Sequence, residues 1–599
     1  MANRNLYQSL LHPDLKVQRN GFDLSHRKLF TAKAGELLPV LCEDMVPGDY
    51  FEVDTATLLR SMPLNTAAFL RCKMIFDFFF VPKSAIWSRW NDFISQRVDK
   101  RSSYTNSSAY EPNITVGGID SAVFSNTVNG NQAVYNGCGA RAKLVQLLGY
   151  GNYETQEYSS AYKNRSMTAL PLFAYNFIFN NFYRNPWRDE PDSNAILSAN
   201  ADYLSCNTYA NSLVSTLVSP YLVQMHYRSW YKDLFMGSLP NQQFGGVSAV
   251  DTTGSFDLDV STTSGYDTSR WTLDDGHEGT PVGAVGNASF VAGNGKNLIY
   301  TVNSTSYKIA SHNHTLNFSE NDISVPSSFN VLELRRALAL QKWKEYNMRA
   351  GYRNNNQQKA QFGVGLPQDP RHELDFIDSY EQSVMVDEVI AQSTNGATET
   401  NPNGNLGEIA GKGIGLSNGK KIKYSASQHG YLFCIFSVVP QAEYDASMID
   451  KMLIRSEPFD HYNPAFQNTG LQPIKGYELQ YGRNNYPDVT LGYGPYGYEY
   501  KTRVDKVYGE MQYVTGIDGN GVTHYGSLSA WASHREDMVS QMTVQGMLST
   551  RNYYILPTCL DSIFAVAADY KTSTDQFIID MNFDTKAVRP MSVLGLPQI

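Results

Sequence analysis

A chain of 599 residues with 42% hydrophobic and only 18% charged residues is too apolar and too aromatic to be a disordered polyelectrolyte. Its net charge of −9 excludes a globally basic nucleic-acid binder, though not a local basic patch. Charged residues fall below the roughly 25% usual for soluble proteins, so polar surface must come from Asn, Ser, Thr, Gln and the 39 Tyr, a balance that suits protein–protein contact.

The first 24 residues read as an N-terminal arm: polar, carrying His12-Pro13, with little sustained periodicity. From residue 25 onward the texture is short apolar runs bounded by turns. Residues 30–41 form one such run, and 49–54 alternate like a half-buried strand behind the turn Pro47-Gly48. Residues 68–81, 429–439 and 576–583 read as further strands. The spacing of Leu172, Tyr175, Ile178, Phe179 and Phe182 predicts a helix. A second helix is expected between a cap at Asn330, with Glu333 three residues on, and a stop at Gly351. Polar stretches interrupt this pattern at 98–164, 251–325 and 395–420. No fixed-period repeat is visible, so the chain reads as one all-β core, sandwich or barrel, with long insertions and a few helices.

The motifs that could carry chemistry are weak. Gly415-Leu416-Ser417-Asn418-Gly419 fits the GxSxG pattern of a hydrolase elbow, but lacks the strand before and helix after that such a turn requires, and reads as a glycine-rich loop. Gly419-Lys420 is followed by Lys421, not Ser or Thr, so it is no phosphate loop. His312 and His314 read as loop residues, and no catalytic, metal or cofactor site is expected. The cysteines at 42, 72, 138, 206, 434 and 559 have no CxxC spacing and read as reduced thiols. The longest apolar run is far too short to cross a membrane as a helix.

Charge patterning says more. Residues 331–359 hold Arg335, Arg336, Lys342, Lys344, Arg349, Arg353 and Lys359 against Glu333 and Glu345, a net +5, with Trp343, Tyr346 and Tyr352 among them. Residues 1–30 add Arg4, Lys16, Arg19, Arg27 and Lys28 against Asp14 and Asp23, a net +3. Cations that neutralise phosphates beside rings that stack bases are the recipe for binding single-stranded nucleic acid. The nominated contacts are Arg335, Arg336, Lys342, Lys344, Arg349 and Arg353, with Lys16, Arg19, Arg27 and Lys28; a solvated or inter-subunit helix face is the plain alternative. Residues 251–325 are opposite in sign, nine acids against Arg270, Lys296 and Lys308, a net −6.

Several stretches resemble one family in its own order: NGFDLSHRKLFTAKAGELLPV (20–40), VPGDYFEVDT (46–55), MPLNTAAFLRCKMIFDFFFVP (62–82), LPLFAYNFIFNNFYRNPW (170–187), YKDLFMGSLPNQQFG (231–245), VLELRRALALQKWKEYNMRAGYR (331–353), HGYLFCIFSVVPQAEY (429–444) and KAVRPMSVLGLPQI (586–599). They are similar to the major capsid proteins of the Microviridae, small tailless single-stranded-DNA phages, and closest to gokushovirus-like and gut-prophage members. The resemblance implies an eight-stranded antiparallel jelly roll spanning 25–599, with insertions at about 98–164, 251–325 and 354–424. It implies a non-enzymatic protein of which sixty copies form an icosahedral shell around a circular single-stranded DNA genome, assembled in the host bacterial cytoplasm. It also implies an outward projection at 251–325 that meets a host-surface receptor, and a minor internal or pilot protein as a further partner. A glycan-binding β-sandwich and an enzyme remain the rival readings.

Overall fold

Strands buried on both faces carry continuous apolar runs, whereas strands with one wet face alternate. Both kinds occur in the computed structural model. It describes residues 18–64, 71–87, 113–124, 138–152, 165–185, 222–243, 374–390, 409–445, 448–479, 488–532 and 575–593, with single-residue or short gaps, together with 331–350, parts of 289–308 and a few isolated positions. Two compact units divide the chain: Met1–Phe244 with Glu345–Ile599, and Gly245–Lys344.

The larger unit is built on β1 (Asn20–Asp23), β2 (His26–Ala32), β3 (Leu38–Met45), β4 (Tyr50–Ser61), β5 (Cys72–Pro82), β6 (Asp375–Ile390), β7 (Ile409–Ser417), β8 (Ile422–Ser425), β9 (Gly430–Pro440) and β10 (Phe577–Arg589). All pairings among them are antiparallel. The order is β1-β10-β4-β7-β6-β5-β9-β3, with β2 continuing along β10 and β8 along β4. The sheet curls on itself as a jelly roll: Phe30 on β2 meets Phe436 on β9 across the interior, ring centres 5.8 Å apart. Phe51, Phe76, Phe78, Phe436, Ile579 and Phe583 are among the side chains that fill it.

β5 and β9 are buried along nearly their whole length, because helices cover the face turned away from the interior. β4 and β10 alternate buried and open positions. The run at 30–41 is not one strand. The chain leaves β2 at Ala32 and turns through Gly35, whose φ of +79° no β-branched residue would accept and whose missing Cβ would lie 2.6 Å from Ile555. It then enters β3 on the sheet edge, where Pro39 is tolerated.

Among the described residues, four α-helices run eight residues or longer: α1 (Val116–Val123), α2 (Cys138–Leu147), α3 (Leu170–Ile178) and α4 (Val331–Ala350). Thr115 caps α1, its Oγ1 accepting from Gly118 N at 3.1 Å. α2 lies on β3 and α3 on β5, and a π-helical turn, Phe179–Tyr183, extends α3. The stretch 354–424, expected as an insertion, supplies β6, β7 and part of β8 to the sheet in its described part. The smaller unit contains a three-stranded antiparallel sheet, Ser289–Ala292, Leu298–Val302 and Thr305–Lys308, in which Phe290 pairs with Tyr300. His312, His314, Asn330 and Gly351 lie outside the described residues.

Candidate nucleic-acid interface

Leu, Arg, Ala, Lys, Gln and Glu dominate α4, and all are good helix formers. Residues seven apart in a helix return to within about 20° of the same direction. Arg335, Lys342 and Arg349 therefore form one stripe, with Leu338 and Tyr346 beside it; Arg336 and Trp343 form an adjacent stripe, and Lys344 points elsewhere. Arg335, Arg336 and Lys342 are exposed and Lys344 is half-buried. Trp343 is 50% and Tyr346 43% exposed, so cations and rings share an open surface. Leu334, Leu338 and Leu340 are exposed on the same helix, which gives it apolar character that a phosphate backbone would not use. Arg349 is placed by the helix alone, and Arg353 lies outside the described residues.

The N-terminal cations are not brought to one surface. Lys16 lies outside the described residues, and Arg19 is exposed just ahead of β1. Arg27 donates through Nε to Asp580 Oδ1 at 2.6 Å and through Nη2 to Oδ2 at 2.5 Å. The hydrogen bond from Arg27 holds the Asp580 carboxyl below its ordinary range, and Asp580 in turn raises Arg27. A phosphate at Arg27 would have to compete with that carboxylate. Lys28 faces the other way, toward the interior, on the side of Phe30; burial pushes its ammonium down in spite of Glu43 nearby. The alternation was readable, since Phe30 sits two residues beyond Lys28 and Leu29 two beyond Arg27.

The GxSxG segment is not the loop expected: Gly415 to Ser417 end β7, and Gly419, with φ +64°, opens the turn into β8. Ser417 is buried, and its Oγ accepts from Gly419 N at 3.2 Å. Among the described residues no group of His, Cys, Asp and Glu could hold a metal. The described cysteines at 42, 72 and 434 are free thiols, and burial pushes Cys42 up to about 12.

Sequence reading missed one buried ionic centre. Asp77 interrupts the apolar run of β5 and is 1% exposed. Its carboxylate accepts from Tyr183 Oη, Arg228 Nη1 and Ser379 Oγ, each at 2.6 Å. Burial would lower Arg228, but Asp77 outweighs it and keeps the guanidinium charged. A lone acid inside an apolar strand was the signal. Satisfied on three sides, it ties β5 to β6, to the π-helical turn and to the segment around Arg228.

Comparison with known proteins turns on the whole chain. The sequence profile of the family described as "Capsid protein (F protein)" matches residues 13–136 and 152–599. The chain is 24% identical to capsid protein VP1 of Chlamydia phage 1, across 98% of this chain and 96% of that one. It is 23% identical to capsid protein VP1 of Bdellovibrio phage phiMH2K over the same shares. A shorter match, 46% of each chain at 23% identity, joins it to capsid protein VP1 of Spiroplasma virus 4.

Proposed function

The chain belongs to the capsid (F protein) family of the Microviridae, and from that premise we propose that sixty copies close a minimal icosahedral shell around a circular single-stranded DNA genome in the cytoplasm of a bacterial host. It is a structural protein of the phage virion, without catalysis. Its helix α4 meets the packaged strand without sequence preference. The observation that supports this is the stripe of Arg335, Lys342 and Arg349 with Tyr346 beside it, in an otherwise acidic chain. The segment 251–325 carries the opposite charge and would be repelled by packaged phosphates, which favours the outer side of the shell and contact with a host-surface receptor. A minor internal protein completes the particle.

The exposed leucines 334, 338 and 340 favour a second reading, in which α4 packs between copies. Binding of a poly-deoxythymidine strand to the assembled protein separates the two. Single-strand binding falls with salt by about 0.7 in log–log slope per phosphate neutralised, so Arg335→Gln with Lys342→Gln should flatten the slope by about 1.4. An unchanged slope, or crosslinks confined to Arg19 and Arg27, would remove α4 from the DNA interface. Electron microscopy of the purified protein tests the shell itself: closed particles are expected, and monomers or small oligomers only would overturn it.

A further inference from the structure

The two halves of the curled sheet are finished differently on their outer faces. On the half formed by β5, β9 and β3, helices α2 and α3 cover the outward positions. On the half formed by β6, β7, β4, β10 and β2, outward positions that should be polar carry large apolar side chains. Met385 is 72% exposed, Leu416 and Leu29 64% each, Ile578 45% and Ile414 36%. The strand registers place them side by side. One row across the five strands reads Met385, Ile414, Arg60, Ile578, Thr31. The next reads Leu416, Leu58, Asp580, Leu29. Strands lie about 4.8 Å apart, so the patch runs about 19 Å across the sheet. Arg60, Thr31 and Asp580 interrupt the rows, yet five large apolar side chains exposed this close together mark a contact site.

We infer that this outer face is buried against a second copy of the same chain, an inference that rests on the capsid reading. Its chemistry selects among occupants. The patch is close to neutral, because Arg27 is matched by Asp580, which also lies within the field of Arg60; at the rim Lys421 pairs with Glu52, and Lys586 reaches Asp584 at 4.0 Å. No ring stands in either row, so bases would find no platform and phosphates few unmatched cations. Large apolar side chains set around a matched Arg27–Asp580 pair, with further ion pairs at the rim, suit a protein interface instead. A patch five strands wide suits the centre of a contact that buries about 800 Å² per partner. A shell-forming chain meets other copies of itself at every edge, so the second copy is the partner at hand.

The test begins with wild-type protein. Hydroxyl-radical footprinting of Met385 should show oxidation about tenfold slower in shells than in the free subunit, because an interface centre excludes water. Equal rates in shells and subunits would overturn the inference and leave the capsid reading standing; wild-type protein that never forms shells would overturn both. A photo-reactive benzoylphenylalanine in place of Leu416, in shells assembled from mixed isotopically light and heavy chains, identifies the occupant. Mixed light–heavy crosslinks support a second copy. Crosslinks to DNA, to another protein, to residues 1–17 of the same chain, or none at all, overturn it. Leu29→Lys and Leu416→Lys alter side chains already in water, so the subunit should melt as wild type while shell yield falls about tenfold. Wild-type yield would count against the interface.

Discussion

Two polar stretches look alike in sequence, 98–164 and 251–325, each rich in Ser, Asn and Gly. The structure treats them oppositely. The first sends α1 and α2 into the core of the larger unit, where Ile119, Leu144 and Val145 are fully buried. Arg141, 2% exposed, donates from α2 to the carbonyl oxygens of Ala122 and Val123 at the end of α1, at 3.2 and 3.4 Å. Lys143 reaches Glu36 Oε2 and Asp575 Oδ2, both at 2.8 Å, and so joins α2 to the turn before β3 and to the approach to β10. The second stretch lies wholly within the smaller unit. Average composition does not separate a stretch that completes this core from one assigned to a second compact unit. A few apolar residues at helical spacing do, here Val116, Ile119 and Val123.

That contrast can be broken by substitution. The largest effect is expected at Lys143, because Lys143→Met strands the nearly inaccessible Glu36 carboxylate without its counter-charge, at a cost of about 3–5 kcal/mol in urea unfolding. Restoring neutrality with Glu36→Gln in the same chain should recover much of it. Burial pulls the Lys143 ammonium down, but Glu36 and Asp575 outweigh that and hold it above the ordinary lysine value of 10.5. The stabilisation is therefore complete below pH 10.5 and is lost as pH rises through the folded value, where wild type and Lys143→Met should converge. A smaller loss, about 0.5–1.5 kcal/mol, is expected for Ile119→Val, from one methylene removed within a packed site. The smallest effect on stability should come from the largest change. Replacing 255–320 with a short Gly/Ser linker should leave the unfolding midpoint of the larger unit unmoved, since loop length alters closure entropy only slowly. The same variant should assemble yet fail to attach to host cells; retained attachment would remove the receptor role from this stretch.

Legibility in the sequence followed burial. β5 and β9 were plain because both their faces are covered, and the apolar run is then unbroken. β10 was readable only to Phe583; beyond it the inward residues are Thr585 and Ala587, too small or too polar to advertise an interior face. β7 was hidden more deeply. Its inward positions are Gly413 and Gly415, and a Cβ on Gly415 would meet Met74 Cε at 2.9 Å. Glycine there reflects close packing against Met74 of β5 and Val384 of β6, where sequence alone suggested a flexible loop. The basic helix was legible in full as a helix, and its cations as a stripe. The inward turn of Lys28 was open to reading from the alternation around Phe30, but the pairing of Arg27 with Asp580 was not, since it depends on a residue more than five hundred positions away.

The place of β10 sets a schedule for synthesis. It lies between β1 and β2 on one side and β4 on the other, yet it is the last of the ten strands to be made, with residues 441–576 translated after β9. Ribosomes add about 5–20 residues per second, so the nascent chain spends seconds or longer with β1, β2 and β4 synthesised but their shared partner missing. During that interval the edge of β4 is a template for any passing strand. A polypeptide released before residue 577 keeps that edge open permanently, so capture by holding chaperones and degradation should fall selectively on incomplete chains.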